Sequence, residues 1–324
     1  MRKLFMLAAT ALTVGGLFLM GGSFAASGFS LSKFNTEKVE QNRYTVSEAF
    51  QNIEIHSDEA RITFELIEHP EESGLTAEIN CTEREKTKHH VSVEDNTLKI
   101  TLKDERKWYE RVSFGITPQI TMTVGLTQEQ FDALKIDSDT GDVTIPDSFR
   151  FGSAEISEDT GSVDYSADVS GALHIKTDTG RIQLRDLSAQ QIDLRVSTGK
   201  ITVESVRCED AVSVNVSTGR TELTDLSCGS LISGGSTGKL TMKNVTASGD
   251  MQIERSTGDV RFESCDAENI TVKTSTGDVT GTLRSGKIFS AGTSTGSVHV
   301  PDSTAGGKCE LRTNTGDIEI QLES

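Results

Sequence analysis

Residues able to do chemistry are few in this 324-residue chain, and most of them stand inside a repeat. Asp139, Asp159 and Asp178 recur at one position of that repeat and would stack into a carboxylate ladder able to attract a divalent cation. The same position becomes Ser six times and then Asn, which is how a turn-forming residue is used rather than a ligand. The Gly-Gly-x-Gly-x-Asp nonapeptide of calcium-binding β-rolls is absent. Lyase or glycosidase chemistry on polysaccharide needs paired carboxylates, or a basic residue beside a metal, breaking the repeat on one face. Glu158, Arg255 and Thr221 do break it, but not on neighbouring repeats. His89, His90 and His174 have no partner at a telling spacing, and no Cys-x-x-Cys or His-x-His supports a metal. The expectation is a protein without catalytic residues, cofactor or metal.

Cys81, Cys208, Cys228, Cys265 and Cys309 are an odd number for an exported chain. Cys208 and Cys228 follow their repeat glycines by nine residues, so they stack on adjacent rungs within reach of a disulfide. The favoured reading makes them small buried residues equivalent to Ala189 and Ala247. Trp108 and Tyr109, in a charged excursion, read first as a cover for one end of the core and second as a platform for a sugar ring.

The element that must position these groups is a phrase, Thr-Gly preceded by Asp, Ser or Asn, which occurs ten times. Its glycines are Gly141, Gly161, Gly180, Gly199, Gly219, Gly238, Gly258, Gly277, Gly296 and Gly316, nine periods of about 19.4 residues each. Apolar residues alternate with polar ones on both sides: Ile192 and Leu194 before Gly199, Ile201 and Val203 after it. That alternation predicts two short strands per period, each with one buried face. The glycines are read as structural turn residues that supply positive φ, with Asp or Ser closing the turn. A second corner, about ten residues before each glycine, holds a small residue such as Ala189, Cys208 or Ala267.

One such coil cannot bury its own apolar face, whereas a stack of coils makes a continuous core. The predicted fold is all-β: a β-solenoid, a single-stranded β-helix expected to be right-handed, with coils of about 19–20 residues. Ten rungs would extend roughly 45–50 Å. Residues 134–324 form the regular array and residues 48–133 irregular N-terminal coils that cap it. Ala60, between Ile55 and Ile62, resembles a worn Thr-Gly corner and lies 81 residues before Gly141, close to four periods.

Ahead of these, residues 33–47 read as a linker and residues 1–32 as a membrane anchor or signal segment. Arg2 and Lys3 precede an uncharged run, and residues 4–24 are long enough for one transmembrane helix. The alternative is secretion after cleavage near Ser23-Phe24-Ala25. Either way the repeats lie outside the membrane. A net charge of −17 argues against nucleic acid as a partner.

The phrase Ser197-Thr198-Gly199-Lys200-Ile201-Thr202-Val203 and its sisters, among them Ser275-Thr276-Gly277-Asp278-Val279-Thr280, resembles the bacterial β-strand-repeat family labelled "putative adhesin", a domain of unknown function. The resemblance spans residues 45–324, and the N-terminal segment is similar to that of membrane-anchored Gram-positive members. It implies a β-helix on the cell surface with a non-enzymatic role in adhesion, envelope organisation or envelope-stress response. The partners expected are the membrane, through residues 4–24, and cell-wall polysaccharide or another envelope protein. A polysaccharide-active enzyme, or a regulator of another membrane protein, remains the alternative.

Overall fold

The computed structural model describes residues 39–70, 73–84, 86–104 and 119–323. The segment read as a membrane anchor and the Trp108–Tyr109 excursion lie outside them. Among the described residues there are strands and no helix, and so no helix long and apolar enough to cross a membrane. The alternation seen in the sequence becomes an inside and an outside. In the coil of Gly199, Ile192, Leu194, Val196, Ile201 and Val203 are all buried, and Lys200, Thr202 and Arg195 are not. Each pairs in parallel register with its equivalent one coil away: Leu194 with Ile175 and Val214, Val203 with Leu184 and Leu223. The stack is therefore a solenoid whose core is a set of aliphatic columns. Fully burying one such side chain stabilises by about 1.5–3 kcal/mol.

Three corners bend each regular coil, where periodicity alone suggested two. At the first, the Thr-Gly corner, Gly141 and eight of its sisters have φ between 136° and 157°, Gly161 being the exception. The second lies six residues later and places non-glycine residues in the left-handed region: Asp186, Ser205, Asp225, Asn244 and Ser264, with φ of 51–55°. Asp and Asn tolerate that region best, and their side chains bond along the stack, as Asn244 Nδ2 does to Asp225 Oδ1 at 2.8 Å. A third short side follows, with Val206 opposite Leu226 and Cys228 opposite Ala247. At its end is the small-residue corner, which in the first coils holds stacked aromatics instead: Phe50 on Phe131 and Phe131 on Phe151, at 5.8 and 5.9 Å.

At the N-terminal end, Asn52–Glu59 and Arg61–Leu66 make one more coil. Ile55 pairs with Ile136 and Ile62 with Val143, so Ala60 lies one rung from Gly141. The 80 residues between them are not four rungs. They supply Thr97–Asp104 beside Asn52–Glu59 and Thr121–Leu126 beside Arg61–Leu66. Beyond these the ladder turns antiparallel: Thr87–Glu94 against Thr97–Asp104, Ala77–Arg84 against Thr121–Leu126, and Val39–Val46 against Ala77–Arg84. Antiparallel strands thus close this end of a parallel stack.

At the other end the coils do not follow sequence order. Val260–Thr276 pairs with Lys308–Thr315, and Val279–Leu283 with Ile318–Leu322. The preceding segment, Ile288–Thr295 and Val298–His299, pairs on the far side of those last strands. The final coil is therefore inserted under the penultimate one. Gly306 and Gly307 carry the chain inward: a Cβ on Gly307 would be 1.6 Å from the Glu268 carbonyl oxygen, and one on Gly306 1.9 Å from that of Gly286. Beside this crossing the buried Lys287 reaches Asp266 Oδ1 and Ser285 Oγ, both at 2.7 Å. Burial works to raise the Asp266 pKa, but the bonds from Lys287 and Ser285 hold it below the usual carboxylate range.

Candidate functional site

Three residues before each corner glycine, side chains point into the coil, and many of them are polar. Most have a structural task. Thr293 Oγ1 donates to the Gly316 carbonyl at 3.0 Å, and Thr313 Oγ1 to that of Gly277 at 3.1 Å. Ser57, Ser138, Thr177 and Thr274 share the column, with Val196 and Val216 in the middle. Glu158 and Arg255 stand in it too, 1% and 6% exposed, and five coils separate them. Thr221 is buried in a different column, after the glycine. These repeat-breaking residues are not brought together.

Arg255 is matched by a gap in the coil before it. Where that earlier coil has Ser233, Gly234 and Gly235, its own neighbour has Val214, Asn215 and Val216 in register. Gly235 pairs with Arg255 itself. A Cβ on Gly235 would lie 2.0 Å from Arg255 Nη1, and one on Gly234 2.8 Å from Asn215 Nδ2. The missing side chains admit the guanidinium and leave a notch of about 540 Å³ in the outer wall. Arg255 lines this notch, with Lys273 and Arg312 on the two coils beyond and the side chains of Asn215, Asn314 and three serines around it. Glu254 is the one acid of the lining, which has no aromatic or aliphatic side chain. Arg255 Nη2 donates to Ser233 Oγ at 2.8 Å, while Nε meets no acceptor among the described residues. Burial pulls the Arg255 pKa down to about 10. Arg255 is legible in the sequence as a departure from the repeat, whereas Ser233-Gly234-Gly235 is tied to it only by the register of the two coils.

Glu158 sits under Gly161 amid acids. Burial pushes its pKa up to about 8, with Asp142, Asp159 and Asp139 adding to the rise and a 3.4 Å hydrogen bond from Ser138 Oγ opposing it. Asp139 is itself raised, by burial and then by Asp58, Asp159 and Asp137. The ladder Asp139, Asp159, Asp178 is thus continued by Asp58 at its N-terminal end and stopped by Ser197, whose Oγ donates to Asp178 Oδ1 at 3.2 Å. One result follows. Glu158 has a folded pKa near 8 against 4.5 unfolded, so the folded state holds the extra proton between those values and its stability falls as pH rises through them. The Glu158→Gln variant should remove a slope approaching about 1.4 kcal/mol per pH unit. Urea midpoints at pH 5.5, 7 and 8.5 check this, and parallel curves for variant and wild type would refute it.

The N-terminal cap holds a group that spacing did not reveal. The antiparallel turn between Ala77–Arg84 and Thr87–Glu94 puts His89 against Glu83, six residues earlier, with both side chains fully buried. Cys81, Glu83 and His89 each offer a ligand atom within 4.8 Å of the others, which is a donor set a zinc ion would accept. Glu83, however, already takes bonds from the His89 backbone N–H, from His89 Nδ1 at 2.7 Å, and from Asn42 and Tyr44. Its carboxylate is saturated by these bonds, while His89 Nε2 is left without a hydrogen-bond partner among the described residues. Burial alone would raise the Glu83 pKa, yet these bonds lower it. Burial lowers that of His89, against the pull of Glu83. Both directions mean stability that is complete above pH 6.5 and lost on acidification, first as His89 must charge and then as Glu83 must protonate. Glu83→Gln should cost about 2–3 kcal/mol at pH 7, read as a lowered melting temperature.

All five cysteines are buried and unbridged. Cys208 and Cys228 stand on adjacent coils without a disulfide, in the column of Ala189 and Ala247, and burial raises their thiol pKa, that of Cys228 to about 12. Exposed His174 stands in register between Glu155 and Asp193 on the adjacent coils, with its Nδ1 3.8 Å from Asp193 Oδ2.

No curated protein matches the chain. Among solved structures, it resembles a "putative adhesin" of Parabacteroides merdae at 10% identity and TM-score 0.45, over 89% of this chain and 97% of that one. A "putative adhesin" of Parabacteroides distasonis matches at 12% and 0.44, over 88% and 98%. A "putative lipid binding protein" of the same species matches at 12% and 0.33, over 90% and 98%. The family model described as Toastrack DUF4097 matches residues 50–219 and again 208–324. With its glycine-cornered coils covered almost end to end by that model, the chain belongs to the Toastrack DUF4097 family, a domain of unknown function.

Proposed function

We propose that this chain is a non-enzymatic β-solenoid of the bacterial cell envelope, held at the membrane by residues 4–24 with its repeats outside. Its role there is adhesion, envelope organisation or the response to envelope stress. The observation that carries the reading is how the repeat is broken. The titratable residues that depart from it, Glu158 and Arg255, point inward on coils far apart, and among the described residues they are not joined into a pair across a cleft. What faces outward is a set of flat polar walls built from stacked strands, the kind of surface extended repeat proteins use for binding.

Two arms test it. Protease added to intact cells should remove the repeat region, and protection of that region would place it inside and end the proposal. The full-length protein in detergent should sediment with cell-wall material without releasing new reducing ends. Release of sugar would establish the polysaccharide-active alternative, and failure to sediment together with capture of a membrane protein by crosslinking would favour the regulatory one.

A further inference from the structure

We infer that the notch over Gly234 and Gly235 is a binding site for an oxyanion, a carboxylate or phosphate group, seated on Arg255 with Lys273 and Arg312 at its rim. The inference rests on the notch alone and goes beyond the reading above, which names no ligand group. Its first support is that two adjacent coils change together. Val214 and Val216 fill the equivalent positions in the coil before, and Val196 does so one coil earlier still, so valine was available to a fold that needed only packing. Instead one coil gives up its side chains and the next sends a guanidinium into the space.

The second support is electrostatic. A buried cation without a counter-ion costs a fold stability, and replacing it by an apolar residue is commonly neutral or stabilising. Arg255 is 6% exposed, bonds one neutral hydroxyl, and leaves Nε without an acceptor among the described residues. Guanidinium forks match carboxylate and phosphate geometry and form their strongest hydrogen bonds with them. The third support is the lining. Lys273 and Arg312 add two cations against the single acid Glu254, in a chain whose net charge is −17. Arg312 is partly engaged, its Nη2 with Ser290 at 3.3 Å and its Nε with Glu310 at 3.4 Å. Side chains of Asn215 and Asn314 complete a wall of donors with nothing apolar to hold a hydrophobic body.

The test titrates the full-length protein in detergent with inorganic phosphate and, separately, with galacturonate, by calorimetry and by thermal shift. Wild type should bind at least one anion saturably, more weakly at 500 mM than at 20 mM salt. Arg255→Met should lose at least tenfold in affinity while melting no lower than wild type without anion. Should Arg255→Met fail to fold, the exposed pair Lys273→Gln and Arg312→Gln serves instead, with affinity expected to fall severalfold at unchanged stability. Phosphate preferred over galacturonate points to a phosphate-bearing source, and the reverse to a sugar acid. No saturable binding of either anion overturns the inference, as does unchanged affinity in a folded Arg255→Met or in the double variant. Saturable anion binding without sedimentation would keep this site and count against the wall-binding reading; sedimentation without saturable anion binding would do the opposite.

Discussion

Gly219→Ala is expected to cost more than about 4 kcal/mol, enough to unfold the regular array at ordinary temperatures. The reason is distance as much as dihedral. A Cβ on Gly219 would stand 1.7 Å from the carbonyl oxygen of Gly199, far inside contact, with backbone rather than a flexible side-chain tip in the way. Gly199 cannot give, because a Cβ on it would itself stand 1.7 Å from the Gly180 carbonyl oxygen, and one on Gly238 would stand 1.5 Å from that of Gly219. The φ of 143° at Gly219 adds strain that an L side chain does not tolerate. Gly74→Ala is the control: its φ is 85° but nothing lies within 4 Å, so a loss of about 1 kcal/mol is expected. Urea denaturation followed by far-ultraviolet circular dichroism separates the two, and a Gly219→Ala midpoint matching that of Gly74→Ala would refute the stacking argument.

This ladder also shows what made the fold legible. A residue forced by the main chain of the next coil leaves a mark at every period, and so does an aliphatic column such as Ile175, Leu194 and Val214. The left-handed corner left a fainter one, because Asp186, Ser205, Asp225, Asn244 and Ser264 satisfy it with three residue types that are also common on solvated strands. Pairing order leaves no mark at all. Every corner offers the same phrase, so nothing in Ser294-Thr295-Gly296 or Asn314-Thr315-Gly316 says which lies nearer Gly277. The cap was hidden for another reason: the His89–Glu83 contact depends on an antiparallel turn, and a scan for ligand spacing does not see across one. At the notch the charge was readable and its accommodation was not, since Gly234 and Gly235 acquire meaning only when the register sets them against Arg255.

The inverted order of the last two coils carries the other large effect. Removing Lys308–Ser324 should strip protection from the amides of Ile288–Thr295, although not one of those residues is deleted. Lys308–Thr315 is the ladder partner that Ile288–Thr295 has among the described residues, and Ile318–Leu322 the partner of Val298–His299. In a solenoid stacked in sequence order, the same truncation would peel off one terminal rung and leave the penultimate one on its neighbour. Here the removed segment is the layer between. Side-chain bonds follow the same order: Asp317 N–H donates to Asp278 at 2.8 Å, and Ser297 N–H to Asp317 at 2.7 Å. Hydrogen exchange in Ile288–Thr295 should accelerate by about two orders of magnitude, close to 3 kcal/mol of lost local stability. Gly307→Val should give the same pattern in a full-length chain, because its side chain would meet the Glu268 carbonyl where the last coil enters. Persistent protection of Ile288–Thr295 in the truncated protein would mean that this coil can seat directly on Val260–Thr276. The insertion would then be one of two interchangeable orders rather than a fixed feature of the fold.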